Sequence, residues 1–573
     1  MRHLSAPSRR LGAIAIGLAL AGGAVACGPK SGDDAKSGGG DGAPHKGGTL
    51  YVLNNQAQED FDPARLYTSG GGNIPSLVYR TLTTRNRANG AAGSKVVPDL
   101  ATNTGEPSAN ATVWTYHLKD GLTYQDGSPI TTADIKYDIE RSFAPELSGG
   151  APYLRDWLVG AANYQGPYKD PKGLASIQTP DAKTIVFHLN KPEGEFPLLA
   201  TQTSFAPVPK AKDTGTKYAE HPVSSGPYVV VSNQNNGEHI VLKRNPHWSP
   251  ATDSQRKAYP DVIDVQSGLD QAVINQRLAS GVGKDADAIT TDTNLGPAEL
   301  AKITGDKALA SRVGTGHFGY TDYIAFNPKV KPFDDIRVRE AIAYAINRTT
   351  VINAQGGSSL NEPATTFLPP QASFGYTPYD PFPAGPTGNP AKAKELLKQA
   401  GYPHGLTVSL THDVTKGDEQ GPEVATAIQE ALKAAGITVK LDGEEHNAFS
   451  DKVHNVSTEP GFFLAGWGAD WPSGGPFLGP IFDGRQIVKD GDNFNNAQLN
   501  DPSVNSEIDA INKITDLKAA AVRWGALDKK IGAQALTVPL YHPVYKRLFG
   551  KNIKNVVISD WTGVLDASQV AVK

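Results

Sequence analysis

The segment 389–441 limits the fold more than any other stretch of the chain. Asn389 has N-cap chemistry, Pro390 suits a first helical turn, and Gly401 follows the last. The face between them is Ala393, Leu396, Leu397 and Ala400. The alternating run 406–410 then predicts a strand, 422–435 a helix stopped by Gly436, and 437–441 a second strand. Strand, helix and strand of these lengths make a βαβ unit with a parallel pair, because parallel strands need a long crossover. The class is therefore α/β.

Other segments extend this pattern. Val338, Ala341, Ile342, Ala345 and Ile346 recur at helical spacing, which predicts one helix over 334–348. Thr131 stands three residues before Asp134, a capping box for a helix carrying Ile135, Ile139 and Phe143. Strands are predicted over 49–54, 113–118, 184–189, 320–326 and 538–545. A polar loop, 55–60, follows the first of them.

The chain opens MRHLSAPSRRLGAIAIGLALAGGAVACG. Arg2, Arg9 and Arg10 precede a short apolar run, and small residues lead up to Cys27, which is the layout of a secretory signal over 1–26. The run falls short of the ~20 apolar residues of a spanning helix. Ala24-Val25-Ala26-Cys27 looks like a bacterial lipobox, with Ala24 where Leu is usual. The other reading is an ordinary signal peptide whose cleavage site includes a Cys. Cys27 is the only Cys, so it has no disulfide partner within the chain, and acylation gives it a role. The resemblance to lipoproteins implies multiple acylation and a lasting anchor. Residues 28–48 are Gly-rich without a large apolar side chain, a flexible tether with a reach on the order of 25 Å.

Removal of 1–26 leaves 52 basic residues against 59 acidic, a net charge of −7. That balance offers no basic face for nucleic acid. The remaining length exceeds a single core, so several domains are expected.

Six segments carry a family resemblance. They are GGTLYVLNNQAQEDFDP (47–63), WTYHLKDGLTYQDGSPITTADIKYDIERSF (114–143), SSGPYVV (224–230), LKRNPHW (242–248), YIAFNPKVKPFDDIRVREAIAYAINR (323–348) and FFLAGWGADWPSGGPFLGPIF (462–482). In this order they resemble the extracytoplasmic solute-binding proteins of peptide-type ABC importers, the dipeptide and oligopeptide group called family 5. The resemblance implies a two-lobed periplasmic-binding-protein-like fold (type II, cluster C), with an inserted subdomain and a hinge. It implies lobe I over 46–85, 222–320 and 540–573, the insert over 86–221 and lobe II over 321–539. Signal peptide 1–26 and the lipidated tether 27–48 precede them.

The same match implies site residues. A peptide presents backbone N–H and C=O groups, an ammonium and a carboxylate, and each needs a partner when buried. Asp470, in Gly466-Trp467-Gly468-Ala469-Asp470, matches the position whose Asp binds the peptide's α-amino group. The Gly466 and Gly468 backbones would bond the peptide, which is strand addition. By spacing alone, Asp470 instead caps a helix starting at Trp471-Pro472. Trp467 and Trp471 either line the cleft or pack in a core. The loop Asn55, Gln56, Ala57, Gln58 would offer backbone groups from the facing side. Dipeptide binders of the family place an Arg in the loop that here is 411–421. This sequence has only Lys416 there, so a fixed dipeptide length is not implied.

Other constellations fail their context. Gly314, Gly316 and Gly319 spell GxGxxG, yet a strand-like segment follows where a phosphate-binding helix is required. Asp285 and Asp287 begin like a calcium loop without its Gly and Glu. There is no HExxH and no GxSxG. No catalytic set is visible, and the resemblance implies a monomer that is not an enzyme and uses no cofactor or metal. It would sit lipid-anchored on the outer face of the cytoplasmic membrane, binding a peptide and handing it to permease subunits. The same fold holding an oligosaccharide, a metal chelate or a signalling peptide is the alternative, and a secreted lipoprotein hydrolase a remote one.

Overall fold

The parallel pair forms as the sequence requires, over eight residues from Leu406↔Ile437 to Asp413↔Glu444. The structure, a computed structural model, describes residues 43–58, 60–67, 74–415, 421–489 and 491–572. Cys27, Lys416 and most of the tether lie outside the described residues. In chain order the strands are β1 (Thr49–Leu53), β2 (Thr83–Arg85), β3 (Val96–Pro98), β4 (Glu106–Ser108), β5 (Val113–His117), β6 (Ile177–Gln178), β7 (Thr184–His188), β8 (Tyr228–Gln234) and β9 (His239–Arg244). They continue as β10 (Val262–Gln266), β11 (Ala288–Ile289), β12 (Val313–His317), β13 (Tyr320–Phe326), β14 (Asn361–Pro363), β15 (Leu406–Asp413), β16 (Ile437–Glu444), β17 (Phe462–Gly468) and β18 (Thr537–Leu548).

Three larger sheets result. One has the order β11-β1-β10-β9-β8, with β1 parallel to both neighbours. A second, antiparallel, has the order β4-β5-β7-β6. The largest runs β12-β18-β13-β17-β15-β16, and β14 also pairs with β18. β18 changes company along its length. Its first part pairs with β13 through Tyr541, and its last part, Val544 to Leu548, pairs with β12.

β15 and β16 each run three residues past their apolar alternation. Polar cross-strand contacts carry the extension: Thr411 Oγ1 donates to Asp442 Oδ2 at 2.9 Å, and Lys452 reaches both Asp442 and Glu444. The helix expected over 334–348 is two helices. Ile336–Ala345 ends where Ile346 turns extended, and the Asn347 side chain accepts from Thr350 N to start Arg348–Ala354. Apolar spacing continues through the break, and Ile346 is buried there in its extended conformation. A competing cap is what periodicity cannot see. The capping box at Thr131 is present, with Thr131 N donating to Asp134 Oδ2 at 2.8 Å. The GxGxxG glycines serve packing. A Cβ on Gly314 or Gly316 would collide with Ile558, and one on Gly319 with the Phe374 ring. Asp285 is held by Arg277 at 2.7 Å.

Buried ion pairs join distant segments. Arg141 grips Asp62 with two bonds of 2.7 Å, both side chains fully buried. Arg80 and Arg256 share Asp99 in the same way. Such pairs fix geometry more than they add stability, since desolvation offsets most of the attraction.

One junction bears directly on the site. Apart from Trp471, the buried members of the core around the four-stranded sheet run from Leu82 to Val223. Glu195 holds that intruder. Its buried carboxylate accepts from Trp471 Nε1 at 2.7 Å, Trp524 Nε1 at 2.9 Å and Ser473 Oγ. Burial pushes the Glu195 pKa up, and the three donors restrain the rise. Gly194 closes the same junction, its N–H donating to Asn512 O at 2.6 Å. Glu195→Ala strands two indole N–H groups and a hydroxyl in the interior, so a loss of about 3 kcal/mol or more is expected. Urea unfolding measures it, and a loss below about 1 kcal/mol contradicts this account of the junction.

Candidate functional site

The site grows out of the ladder between β13 and β17. Their antiparallel register pairs Asp322 with Gly466 and Tyr320 with Gly468. In that register Asn327 N donates to Gly461 O, and Ala469 N to Gly319 O. Backbone groups alternate between the two edges of a strand, so 461, 463, 465, 467 and 469 face β13. The N–H and C=O groups of Phe462, Leu464, Gly466 and Gly468 point to the other edge. β15 covers that edge only around Phe463, through the bridge Thr411↔Phe463. Gly466 and Gly468 lie beyond this cover, and neither has a side chain to shield its backbone. The absence of a Cβ at Gly468 also admits the Tyr320 ring, which a Cβ would approach to 2.9 Å.

Asp470 follows directly. The helix at this end of the segment is Gly475–Phe482, so Asp470 does not cap a helix starting at Trp471. Its carboxylate takes tyrosine hydroxyls instead. Tyr67 Oη donates to Asp470 Oδ2 at 2.8 Å, and Tyr153 Oη donates to the same oxygen. Burial raises the Asp470 pKa, and the two phenols restrain the rise. Burial and the neighbouring carboxylate push both phenols upward, so they stay protonated and donating. Gln202 Nε2 fixes the Asp470 backbone, donating to its carbonyl at 3.1 Å.

The two tryptophans take different places. Trp471 is only 2 % exposed and packs on Tyr153 and Trp157, with ring centroids at 4.8 and 6.0 Å. Trp467 is half-buried, lies against Phe494 at 5.1 Å and donates its indole N–H to Pro476 O. In the loop after β1, Asn55 N and Gln56 N both donate to the Asp292 carboxylate, at 3.1 and 2.8 Å. Those two amides are therefore occupied, while Ala57 and Gln58 follow them outside any helix or strand.

Tyr67, Tyr153, Asp292, Glu195 and Gln202 were not legible in the sequence. Tyr67 and Tyr153 stand 403 and 317 residues from the carboxylate they serve. No local spacing encodes such contacts.

A family model for bacterial extracellular solute-binding proteins, family 5, matches residues 95–488. The chain is 27% identical over 451 residues to the periplasmic oligopeptide-binding protein OppA of Escherichia coli K12, spanning 77% of this chain and 78% of that protein. It is 25% identical over 454 residues to the glutathione-binding protein GsiB of Salmonella paratyphi A, spanning 78% and 80%. Among solved structures, the clavulanic acid biosynthesis oligopeptide binding protein 2 superposes with a TM-score of 0.85 at 32% identity, covering 92% of this chain and 96% of that one.

Hydroxyl donors favour the charged form of a carboxylate. Replacing Tyr67 and Tyr153 by Phe therefore shifts the Asp470 pKa further upward, read by carbon-detected NMR titration of its carboxyl. An unchanged or lower pKa contradicts the assigned hydrogen bonds.

Proposed function

The chain belongs to the bacterial extracellular solute-binding proteins of family 5, and from that membership we propose that it captures peptides between its two lobes and delivers them to the permease of an ABC importer. The observation that carries this reading is the uncovered edge of β17 at Gly466 and Gly468, ending on the Asp470 carboxylate. An extended peptide adds to that edge through its backbone, whatever its side chains. Its α-ammonium then pairs with Asp470, with the tyrosine hydroxyls on the same oxygen. Ala57 and Gln58 approach from the facing side, and Trp467 belongs to the surroundings of the bound solute, while Trp471 packs in the core behind Asp470; Lys416 lies outside the described residues. Two relatives carry names for oligopeptide and glutathione binding, and both kinds of molecule present an ammonium beside amide groups.

In this reading lobe I comprises 46–85, 222–320 and 540–573, the insert 86–221, and lobe II 321–539. Two features support a hinge between them. The chain passes from β12 to β13 through Phe318 and Gly319, and β18 pairs with β12 at one end and β13 at the other. Closure by such crossovers is an ordinary hinge motion. In this reading solute is held without reaction and released unchanged. The lipid on Cys27 and the Gly-rich tether hold the protein at the outer face of the membrane, within reach of the permease.

Asp470→Asn is expected to weaken free-amino peptides by on the order of 10- to 100-fold, because it removes a charge-assisted bond. N-acetylated peptides, already weak, should lose little more. Calorimetry on both sets checks this, and equal losses for both contradict the ammonium role. Affinity for free-amino peptides should also fall on acidification, and at a higher pH than an ordinary carboxylate dictates, because burial raises the Asp470 pKa. Cys27→Ala should release the protein from membranes into the medium; retention on the membrane removes the lipid anchor from the account.

A further inference from the structure

We propose that His317 is an electrostatic clamp on the hinge: its imidazolium, held between Asp560 and Glu362, keeps the large sheet in the arrangement that brings Asp470 to its tyrosines. This rests on the hinge reading above. His317 ends β12, directly before the passage through Phe318 and Gly319 into β13. Its ring meets an acid on each side. Nδ1 lies 2.8 Å from Asp560 Oδ1, and Nε2 lies 3.4 Å from Glu362 Oε1. Glu362 belongs to β14 and Asp560 to the C-terminal segment. On β18, Glu362 pairs with His542 and His317 with Val544, where that strand gives up β13 for β12.

The passage is tied on both sides of this ring. Phe318 N donates to Pro543 O at 3.2 Å, and Gly319 N donates at 2.6 Å to the carbonyl of Trp561, next to Asp560. A rotation of β13 and β14 against β12 and the C-terminal segment therefore strains both contacts of His317. In the arrangement described, Tyr67 and Tyr153 reach Asp470, so the clamp favours the lobes held together.

The charges around the ring make the clamp depend on one proton. Among the described residues, no other basic side chain forms an ion pair with Asp560 or Glu362. Lys546 acts on Glu362 from β18, but its ammonium donates to Thr315 Oγ1 at 2.8 Å. Burial pushes the pKa of His542 down to about 4, so that ring is neutral at pH 7. Burial and the Glu362 charge push Tyr376 upward, so its phenol stays protonated. A charged imidazole donates from both nitrogens and serves both acids, whereas a neutral one has a single N–H. The bonds to Asp560 and Glu362 raise the His317 pKa to about 9. That value lies above the ~6.5 of a free histidine, so the stabilisation is complete below pH ~6.5 and is lost as pH rises through about 9.

Two kinds of measurement on the full chain test this, one without solute and one with it. NMR titration of solute-free protein should place the His317 imidazole near pH 9, and a midpoint below pH ~7, close to that of a free histidine, overturns the clamp. Small-angle scattering at neutral pH should give H317Q a larger radius of gyration than wild type. H317R, which keeps a cation between the two acids, should stay close to wild type. Wild-type protein should expand as pH rises through 9, and H317Q should not change over that range. With solute, calorimetry with trialanine at pH 7 should show roughly a two- to fivefold loss of affinity in H317Q, as a partly exposed ion pair implies, and recovery in H317R. E362Q removes one of the two acids, so H317Q should cost less in that background, and this pair serves where H317Q alone melts early. If H317Q keeps the wild-type radius of gyration and affinity, His317 makes a local ion pair only, and this inference falls alone. If wild-type protein binds no peptide, the peptide-binding reading falls, and the scattering still decides the clamp.

Discussion

The ladder between β13 and β17 decides which backbone groups of β17 are available. Because the side groups of a strand alternate, pairing with β13 consumes every second residue and turns the others to the opposite edge. A shift of one residue would present Trp467 and Ala469 there in place of Gly466 and Gly468. The register is held from both ends, by Asn327 N on Gly461 O and by Ala469 N on Gly319 O. Leu464 and Phe462, buried on the same strand, anchor it in the apolar core of the large sheet. What β15 leaves uncovered then follows, since it meets β17 only at Phe463.

Electrostatics complete the arrangement. A carboxylate as buried as Asp470 prefers to be neutral, and two tyrosine hydroxyls shift the balance back toward the charged form. Those tyrosines belong to segments near the opposite end of the sequence, so the carboxylate's environment depends on the tertiary fold. Glu195 repeats the principle one step away. A buried acid with three donors seats Trp471 and Ser473, the residues just past Asp470. The polar contacts on either side of Asp470 therefore set its position, while the apolar cores supply the rigidity behind them.

The sequence made some of this legible. The βαβ unit was readable because apolar spacing, Asn389, Pro390 and the glycines at 401 and 436 all agree. The capping box at Thr131 was readable for the same local reason. The break at Ile346 was not, because a capping side chain at Asn347 outcompetes a periodicity that continues through it. The place of Asp470 and the two glycines in one segment came from family resemblance, and spacing alone favoured a helix cap that the structure does not contain. Tyr67 and Tyr153 left no signal at all. Their meaning lies in what they touch hundreds of residues away.

The most direct measurement is amide hydrogen exchange along β17 with and without a bound peptide. The Gly466 and Gly468 amides should exchange quickly in the free protein and slow markedly when a free-amino peptide is added. Trp467 and Ala465, bonded to β13 in either state, serve as internal controls and should change far less. Slowing confined to the two glycines is the result predicted by strand addition at this edge. Glycine amides that exchange at the same rate with saturating peptide present would contradict it.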